Sequence, residues 1–295
     1  MFQPPNLIDL RGRISAIERN TLKSGRRARG GLRAEDIGAA GLKRALSFGP
    51  EAVDTRFGLG GLAFGAHQAA AGPGDRTAVA VFAVLLLARL FKAWPDRSAL
   101  LVQEAETLQE DGALYGPGLH ALGLDPGRLA LVSARDGAEA LRIVDEATRS
   151  GAVCAVVGDL RRGARKLDLA LTQRLNVHAQ QTSTLTLLLT PDLDGTSAAM
   201  SRWRVATAPS RAPRRYLGGP TLDLELVRNR LGRPGRWTLE WSSEDEAFRL
   251  ATPLRPPVVL TPVHQSDAPF AAFPGDRAPG AGGEAEGRVA AHGGR

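Results

Sequence analysis

Between residues 78 and 190 the chain alternates short apolar runs with helix-like segments, and no other feature constrains its fold as strongly. The apolar runs lie at Ser98–Val102, Leu129–Ser133, Val153–Val157 and Thr184–Thr190. The segments with helical spacing lie at Ala78–Phe91, Leu114–Leu122, Gly137–Arg149 and Lys166–Gln180. Apolar strands that alternate with helices are typical of a parallel sheet covered on both faces. The sequence therefore predicts an α/β fold with a mostly parallel sheet.

Beyond Pro191 the hydrophobic period changes from helical to strand-like. Polar and apolar residues alternate around Trp203, Leu224 and Leu239. This alternation predicts half-buried antiparallel strands that extend the sheet. We expect the core to occupy residues 50–250, followed at 251–295 by a disordered tail rich in proline and glycine.

The first 49 residues are predicted to form a helix, a basic linker and a second short helix at Glu35–Leu46. The first helix, Leu7–Arg19, has an apolar stripe at helical spacing. The residues of this stripe are Leu7, Leu10, Ile14 and Ile17. The stripe is a candidate partner-binding surface, and its alternative role is packing on the chain's own core.

Composition narrows the class of protein. The chain is 43% hydrophobic and 23% charged, the balance of a globular domain, and its single cysteine, Cys154, excludes a disulfide framework. We therefore expect a cytoplasmic protein. The histidines show no metal-ligand spacing and no nucleophile motif is present, so neither a metal site nor a hydrolase triad is predicted.

Arginine is concentrated at the N-terminus and again between residues 202 and 236, and the net charge is +7. One interpretation is a set of solvated surface cations. The other is direct DNA binding, because phosphate contacts dominate nucleic-acid affinity. The sequence leaves both open.

A glycine-rich turn precedes the helix at Ala78–Phe91 and resembles a phosphate-binding loop whose chemistry has changed. The loop pattern is G-x-x-x-x-G-K-[ST]. With Thr77 as the final hydroxyl, Ala70 replaces the first glycine, Asp75 the second and Arg76 the lysine. We interpret this stretch as a vestigial nucleotide loop, and its candidate residues are Gly72, Gly74, Asp75, Arg76 and Thr77.

Two adjacent residues of this loop weaken its affinity for nucleotide. A carboxylate at Asp75 within 4–5 Å of a phosphate would cost about 3–4 kcal/mol at an effective dielectric constant near 20. Arg76 is a planar fork where a compact ammonium fits, and pairing with Asp75 would divert it from phosphate. We therefore expect no cofactor, at most weak ATP binding, and negligible turnover.

Two carboxylates follow strands of the predicted sheet. Asp159 ends the run Val153–Val157, and Glu106 follows Ser98–Val102. Ligands of open α/β sheets bind at the carboxyl ends of the strands, so these residues are candidates for a metal-orienting carboxylate and for a group that polarises water. For Asp159, simple exposure to solvent is an equally good interpretation.

Several segments, in order and at similar spacing, resemble the ATPase core of RecA recombinases over roughly residues 50–245. They are Glu104–Glu106, Leu122–Asp125, Glu139–Leu141, Arg149–Val153 and Val156–Asp159. The N-terminal helix, the changed loop and the compact core resemble the ImuA family within that superfamily. The resemblance implies a RecA-like P-loop core in which Glu106 matches the catalytic glutamate and Asp159 the magnesium aspartate.

The resemblance also implies a function. ImuA proteins are non-enzymatic, RecA-like partners of ImuB and of an error-prone replicative-type polymerase, and the family is tied to RecA. The implied process is SOS-induced, error-prone translesion synthesis after DNA damage, with the protein at the nucleoid. An active DNA-dependent ATPase is the alternative, because both acids are retained. The short segments after Asp159 and at Pro191–Met200 predict no filament on single-stranded DNA.

Overall fold

The computed structural model describes residues 45–72, 75–160, 163–210 and 219–251. The strands are β1 (Ala45–Leu46), β2 (Leu62–Ala63), β3 (Gly65–Ala71), β4 (Ala99–Glu104), β5 (Leu129–Ala134), β6 (Ala155–Asp159), β7 (Leu185–Thr190), β8 (Ser201–Thr207), β9 (Thr221–Asn229), β10 (Gly235–Ser242) and β11 (Ala247–Leu250). The α-helices are α1 (Glu51–Asp54), α2 (Arg76–Ala93), α3 (Ala105–Asp111), α4 (Gly116–Ala121), α5 (Gly137–Ser150) and α6 (Leu169–Thr182). Two 3-10 turns lie at Pro126–Arg128 and Gly163–Lys166.

Nine strands form one sheet in the order β11-β10-β9-β8-β3-β7-β6-β4-β5. The six strands from β8 to β5 are parallel, and β9, β10 and β11 add to β8 in antiparallel fashion. The predicted α/β fold, with a mostly parallel sheet and an antiparallel extension, is confirmed.

Helices cover both faces of the parallel strands. On one face α2 packs on β3 and β8, and on the other α5 and α6 pack on β4, β6, β7 and β3. Alternate residues of one strand enter different cores: Leu101 lies on the α2 side and Leu100 on the α5 side. Because α2 is buried on most of its surface, its sequence is apolar almost all round.

An aromatic cluster joins α2 to the antiparallel strands. The Trp203 ring centroid lies 5.4 Å from that of Phe48 and 5.6 Å from that of Phe82. Phe248 lies 5.6 Å from Phe48 and 5.1 Å from Trp241. These rings explain the buried alternate positions of β8 and β10, because Trp203 and Trp241 face α2 rather than solvent.

The segment before α1 belongs to the core. Leu46 and Phe48 are buried, and β1 pairs with β2 so that Leu46 lies opposite Leu62. The prediction of helix at Glu35–Leu46 is wrong for its last two residues, because antiparallel pairing with β2 holds them extended. The rest of that segment, the stripe at Leu7, Leu10, Ile14 and Ile17, and residues 252–295 lie outside the described residues.

Strand β3 was not expected, because Gln68–Ala71 reads as part of a glycine-rich turn. Its residues carry no β-branched or large apolar side chain. It is a strand because β7 and β8 pair with it on both sides, and its small side chains let helices approach closely. At Gly65, with φ +157°, an added Cβ would lie 2.8 Å from both Asn176 Oδ1 and Met200 Cγ.

Helix α6 begins three residues later than predicted. Asp168 accepts a hydrogen bond from the Leu171 amide and caps the helix, so Lys166 stays in the preceding 3-10 turn. None of the helices within the described ranges has the length and apolarity needed to cross a membrane.

Candidate functional site

The candidate site lies at the carboxyl ends of the parallel strands, which form one border of the sheet. β3 leaves the sheet at Ala71 and α2 starts at Arg76, while β4 lies on the far side of β7 and β6 from β3. Chain connections therefore diverge beside β3, which is where open α/β sheets bind ligands. Gly72, Asp75, Arg76 and Thr77 lie at this edge, and Gly74 lies outside the described residues.

The loop between β3 and α2 is shorter than the motif alignment implied. Ala70 and Ala71, placed by that alignment in the loop, pair with Arg204 and Val205 of β8. Only residues 72–75 connect strand and helix. Less backbone is therefore available to surround a phosphate than the aligned pattern suggests.

Asp75 occupies the N-cap position of α2, but its carboxylate bonds elsewhere. Oδ2 accepts hydrogen bonds from the Thr207 amide at 2.6 Å and from the Thr207 hydroxyl at 3.0 Å. Its side chain makes no capping bond to α2. Asp75 therefore fastens the start of α2 to the end of β8 and keeps a negative charge at the helix start.

Arg76 lies beside an acid of the neighbouring helix α3. Its Nη1 lies 3.8 Å from Glu110 Oε2 of α3, and both side chains are more than half exposed. The possible pairing with Asp75 is not formed: Arg76 lies beside Glu110, and Asp75 accepts its hydrogen bonds from Thr207. An exposed pair of this kind contributes about 0–1 kcal/mol, so it directs Arg76 toward α3 only weakly.

Asp159 ends β6 as predicted. Its Oδ2 accepts a hydrogen bond from Gln103 Nε2 at 3.3 Å. Burial raises the pKa of Asp159 to about 6, and the carboxylates of Asp111 and Glu104 add to the increase. The Gln103 bond and the charge of Arg76 act in the opposite direction. The carboxyl group therefore holds its proton to a higher pH than an exposed aspartate would.

Glu104 is a site residue that strand-end reasoning passed over in favour of Glu106. It ends β4 and is 2% exposed, and its Oε1 accepts a hydrogen bond from the Gly163 amide at 2.7 Å. Glu106 lies in the first turn of α3 and is half-buried. The signal available in the sequence was that Glu104 is the acid nearer the apolar run.

Two glycines make room for the Glu104 carboxylate. A Cβ on Gly137 would lie 2.2 Å from Gly163 Cα and 3.0 Å from Glu104 Oε1. A Cβ on Gly163 would lie 2.8 Å from the same oxygen. The start of α5 and the 3-10 turn after β6 therefore close over the carboxylate, and the Gly163 amide binds it.

The arrangement brings Asp75, Arg76, Glu104 and Asp159 to one edge of the sheet, with Thr77 and Glu106 in the first turns of α2 and α3. Within the described residues, no group of three or more histidine, cysteine or acidic side chains is placed to hold a metal ion. In the part of the chain that the structure describes, the site thus combines several acidic side chains with Arg76.

The segment 191–200 is packed against the protein. Arg202 donates to the backbone carbonyls of Leu193 and Gly195, and Arg228 donates to that of Ser197 at 3.1 Å. Ser197 to Met200 are buried. Two arginines of the second basic cluster therefore hold this segment in place.

Other arginines of the same cluster pair with acids on the exposed face of the antiparallel strands. Arg204 lies 2.7 Å from Glu225, and Arg236 pairs with Asp223. Residues 211–218, which hold three more arginines, are outside the described part of the chain. Four of the clustered arginines thus have protein partners.

His67 is buried in the middle of β3 and holds its neighbours together. Its Nε2 donates to the Ala63 carbonyl at 2.8 Å, and Nδ1 lies 2.7 Å from the Ser201 hydroxyl, which also accepts from Trp203 Nε1. Burial lowers the pKa of His67 to about 4. A neutral histidine with both nitrogens occupied has a structural role.

No family model matches the chain. Among curated proteins it is similar to Protein ImuA from two strains of Caulobacter vibrioides. Each is 32% identical over 208 residues, which cover 66% of this chain and 82% of the relative.

Proposed function

Because the chain belongs to the ImuA family, we propose that it is a non-enzymatic, RecA-like accessory protein of the DNA damage response. In this proposal it acts in SOS-induced mutagenesis with an ImuB-like protein and an error-prone replicative-type polymerase, and it also contacts RecA. The protein presents surfaces to these partners, and its α/β core turns over no nucleotide.

The contacts of Asp75 and Arg76 at the start of α2 support the absence of nucleotide turnover in this proposal. A triphosphate needs free backbone amides and a cation at the start of the helix. Here a carboxylate, Asp75, lies at that start and is bonded to Thr207, while Arg76 lies beside Glu110. Both features oppose phosphate binding and support a weak nucleotide site at most.

A nucleotide titration tests this part of the proposal. Wild-type protein is titrated with a fluorescent ATP analogue and Mg²⁺, and hydrolysis is measured with and without single-stranded DNA. We expect weak binding and turnover below about 0.1 per second, under the usual enzyme range. Faster turnover that Glu106→Gln abolishes would establish the alternative, a DNA-dependent ATPase.

A double variant sharpens the titration. Asp75→Gly with Arg76→Lys restores the glycine and lysine of the phosphate loop. If these two residues alone weaken nucleotide binding, the double variant binds the analogue at least tenfold more tightly than wild type. Equal affinity would instead assign the weakness to the short connection between β3 and α2.

A binding experiment tests the partners. ImuB-like protein and polymerase from the same genome are captured with full-length chain and with chains lacking residues 1–30 or 252–295. We expect the first truncation, which removes Leu7, Leu10, Ile14 and Ile17, or the second to reduce capture. Undiminished capture by both would place the contact on the core, and no capture by the full chain would refute the partnership.

A further inference from the structure

Two surface turns lie side by side at the edge of the sheet where β3 begins, opposite the site described above. One turn comprises residues 55–60 and the other residues 229–234. The Gly58 amide donates to the Leu231 carbonyl at 2.7 Å, and the Arg233 amide donates to the Arg56 carbonyl at 3.0 Å. Asn229 Nδ2 donates to the same Arg56 carbonyl at 3.1 Å. These bonds fix the two turns, hereafter the paired turns, as one platform.

The platform exposes two leucines. Leu59 is 52% exposed and Leu231 is 44% exposed. Between them lies a small, shallow depression, open to solvent, which Phe57, Leu62 and Met200 help to line. An apolar surface beside a depression is typical of an interaction site rather than of an ordinary solvated turn.

Three arginines belong to the same two turns. Arg56, Arg230 and Arg233 are exposed, and in the described part of the chain no carboxylate lies within 4.0 Å of their guanidinium groups. The strand arginines differ, since Arg204 and Arg236 each pair with an acid. The paired turns thus combine apolar surface with positive charge that the described residues do not balance.

We propose that the paired turns bind a short acidic peptide segment of a partner protein, with one or two leucine- or phenylalanine-sized side chains between aspartates or glutamates. The apolar side chains cover Leu59 and Leu231, and the carboxylates pair with the three guanidinium groups. Arginine suits this role because its planar fork binds a carboxylate through two hydrogen bonds, and it is enriched at protein interfaces.

Nucleic acid fits this surface less well. A phosphate backbone would satisfy the arginines but leave both leucines in water. Single-stranded nucleic acid also needs aromatic side chains for its bases, and Phe57, the aromatic residue beside the leucines, is 6% exposed. The paired turns can bind such a peptide whether or not the protein binds nucleotide at the opposite end of the parallel strands.

The test uses full-length protein and a fluorescein-labelled synthetic peptide, Glu-Asp-Glu-Leu-Phe-Asp-Glu-Glu, followed by fluorescence anisotropy. We expect saturable binding that weakens at least tenfold in Arg230→Glu/Arg233→Glu and at least fivefold in Leu231→Ser. A peptide in which serine replaces leucine and phenylalanine should also bind at least fivefold more weakly. Because the substituted side chains are exposed, the variants should keep the wild-type unfolding midpoint, which is measured alongside.

Matched controls lie on the helices of the opposite face. Leu169→Ser removes a leucine that is 47% exposed, and Arg142→Glu reverses an exposed arginine. Both should bind the peptide as wild type does. The proposal is overturned if the peptide does not bind, if the paired-turn variants bind it like the controls, or if a twelve-nucleotide single strand binds the paired turns and the peptide does not.

Discussion

Replacing Asp159 by asparagine should stabilise the fold at high pH and much less at low pH. The pKa of Asp159 rises from 3.8 to about 6 on folding, chiefly through burial. The folded protein therefore binds this proton more tightly than the unfolded chain does. The fold is free of the ionisation penalty below pH 3.8, and it loses stability as the pH rises through about 6.

The magnitude follows from the shift. One pKa unit corresponds to 1.36 kcal/mol, so a shift of roughly two units costs about 3 kcal/mol at pH 8 and about 1 kcal/mol at pH 4.5. Asparagine stays neutral and removes the penalty at both values. The stabilisation by Asp159→Asn should therefore be larger at pH 8 than at pH 4.5 by about 2 kcal/mol.

Urea unfolding, followed by the fluorescence of the buried Trp203 and Trp241, measures this difference. Comparing variant and wild type at each pH cancels the contributions of titrating groups that do not interact with residue 159. Asp96→Asn is the matched control at an exposed aspartate, and it should change stability by less than about 0.5 kcal/mol at both pH values. A stabilisation equal at the two pH values, or none at pH 8, would refute the reasoning.

Three further substitutions test contacts around β3 and α5 by chemical or thermal unfolding. The pKa of His67 is about 4 in the folded protein and 6.5 in the unfolded chain. The wild type should therefore lose about 2 kcal/mol of folding free energy on acidification from pH 8 to pH 5. His67→Gln should not show this loss, and an unchanged pH dependence in the variant would contradict the prediction. Asp75→Ala should destabilise by about 1–2 kcal/mol through the lost bonds to Thr207, and an unchanged urea midpoint would show that they contribute nothing. Gly137→Ala should destabilise the fold by about 1–3 kcal/mol or more, because the added Cβ would overlap the backbone of Gly163. Gly116→Ala is the control and should change stability little, because its Cβ would lie 3.9 Å from the nearest atom. Equal effects of the two substitutions would contradict the predicted overlap at Gly137.

The sequence predicted the strands and helices that have a recognisable hydrophobic pattern, either a continuous apolar run or a helical stripe. β4 to β7 are almost wholly apolar, and α5 has an apolar stripe, a capping aspartate and a terminal glycine, so local residues specify them. β3 is not specified in this way, since Gly65–Ala71 has neither branched nor large apolar side chains. Its pairing with β7 and β8 decides its conformation, and such long-range contacts are not visible in a local window.

The candidate site was predictable to a similar degree. Placing Asp75 and Asp159 at one edge required only that parallel strands end together. The burial of Glu104 depends on two glycines 26 residues apart in the chain, Gly137 and Gly163, approaching each other over it. The partner of Arg76 lies in another helix, at Glu110. These contacts arise from tertiary packing, which spacing along the chain does not encode.

The carboxylate of Asp75 affects whether the start of α2 depends on a bound ligand. In a phosphate-binding protein, the backbone amides at the helix N-terminus gain their partner only when the ligand binds. Ligand binding can then switch such a protein between two states. In this protein the negatively charged group at the start of α2 is the side chain of Asp75, which is part of the chain and is bonded to Thr207 in the folded structure. In the proposed function, the surfaces that depend on α2 and β8 are therefore formed once, at folding, and need no nucleotide.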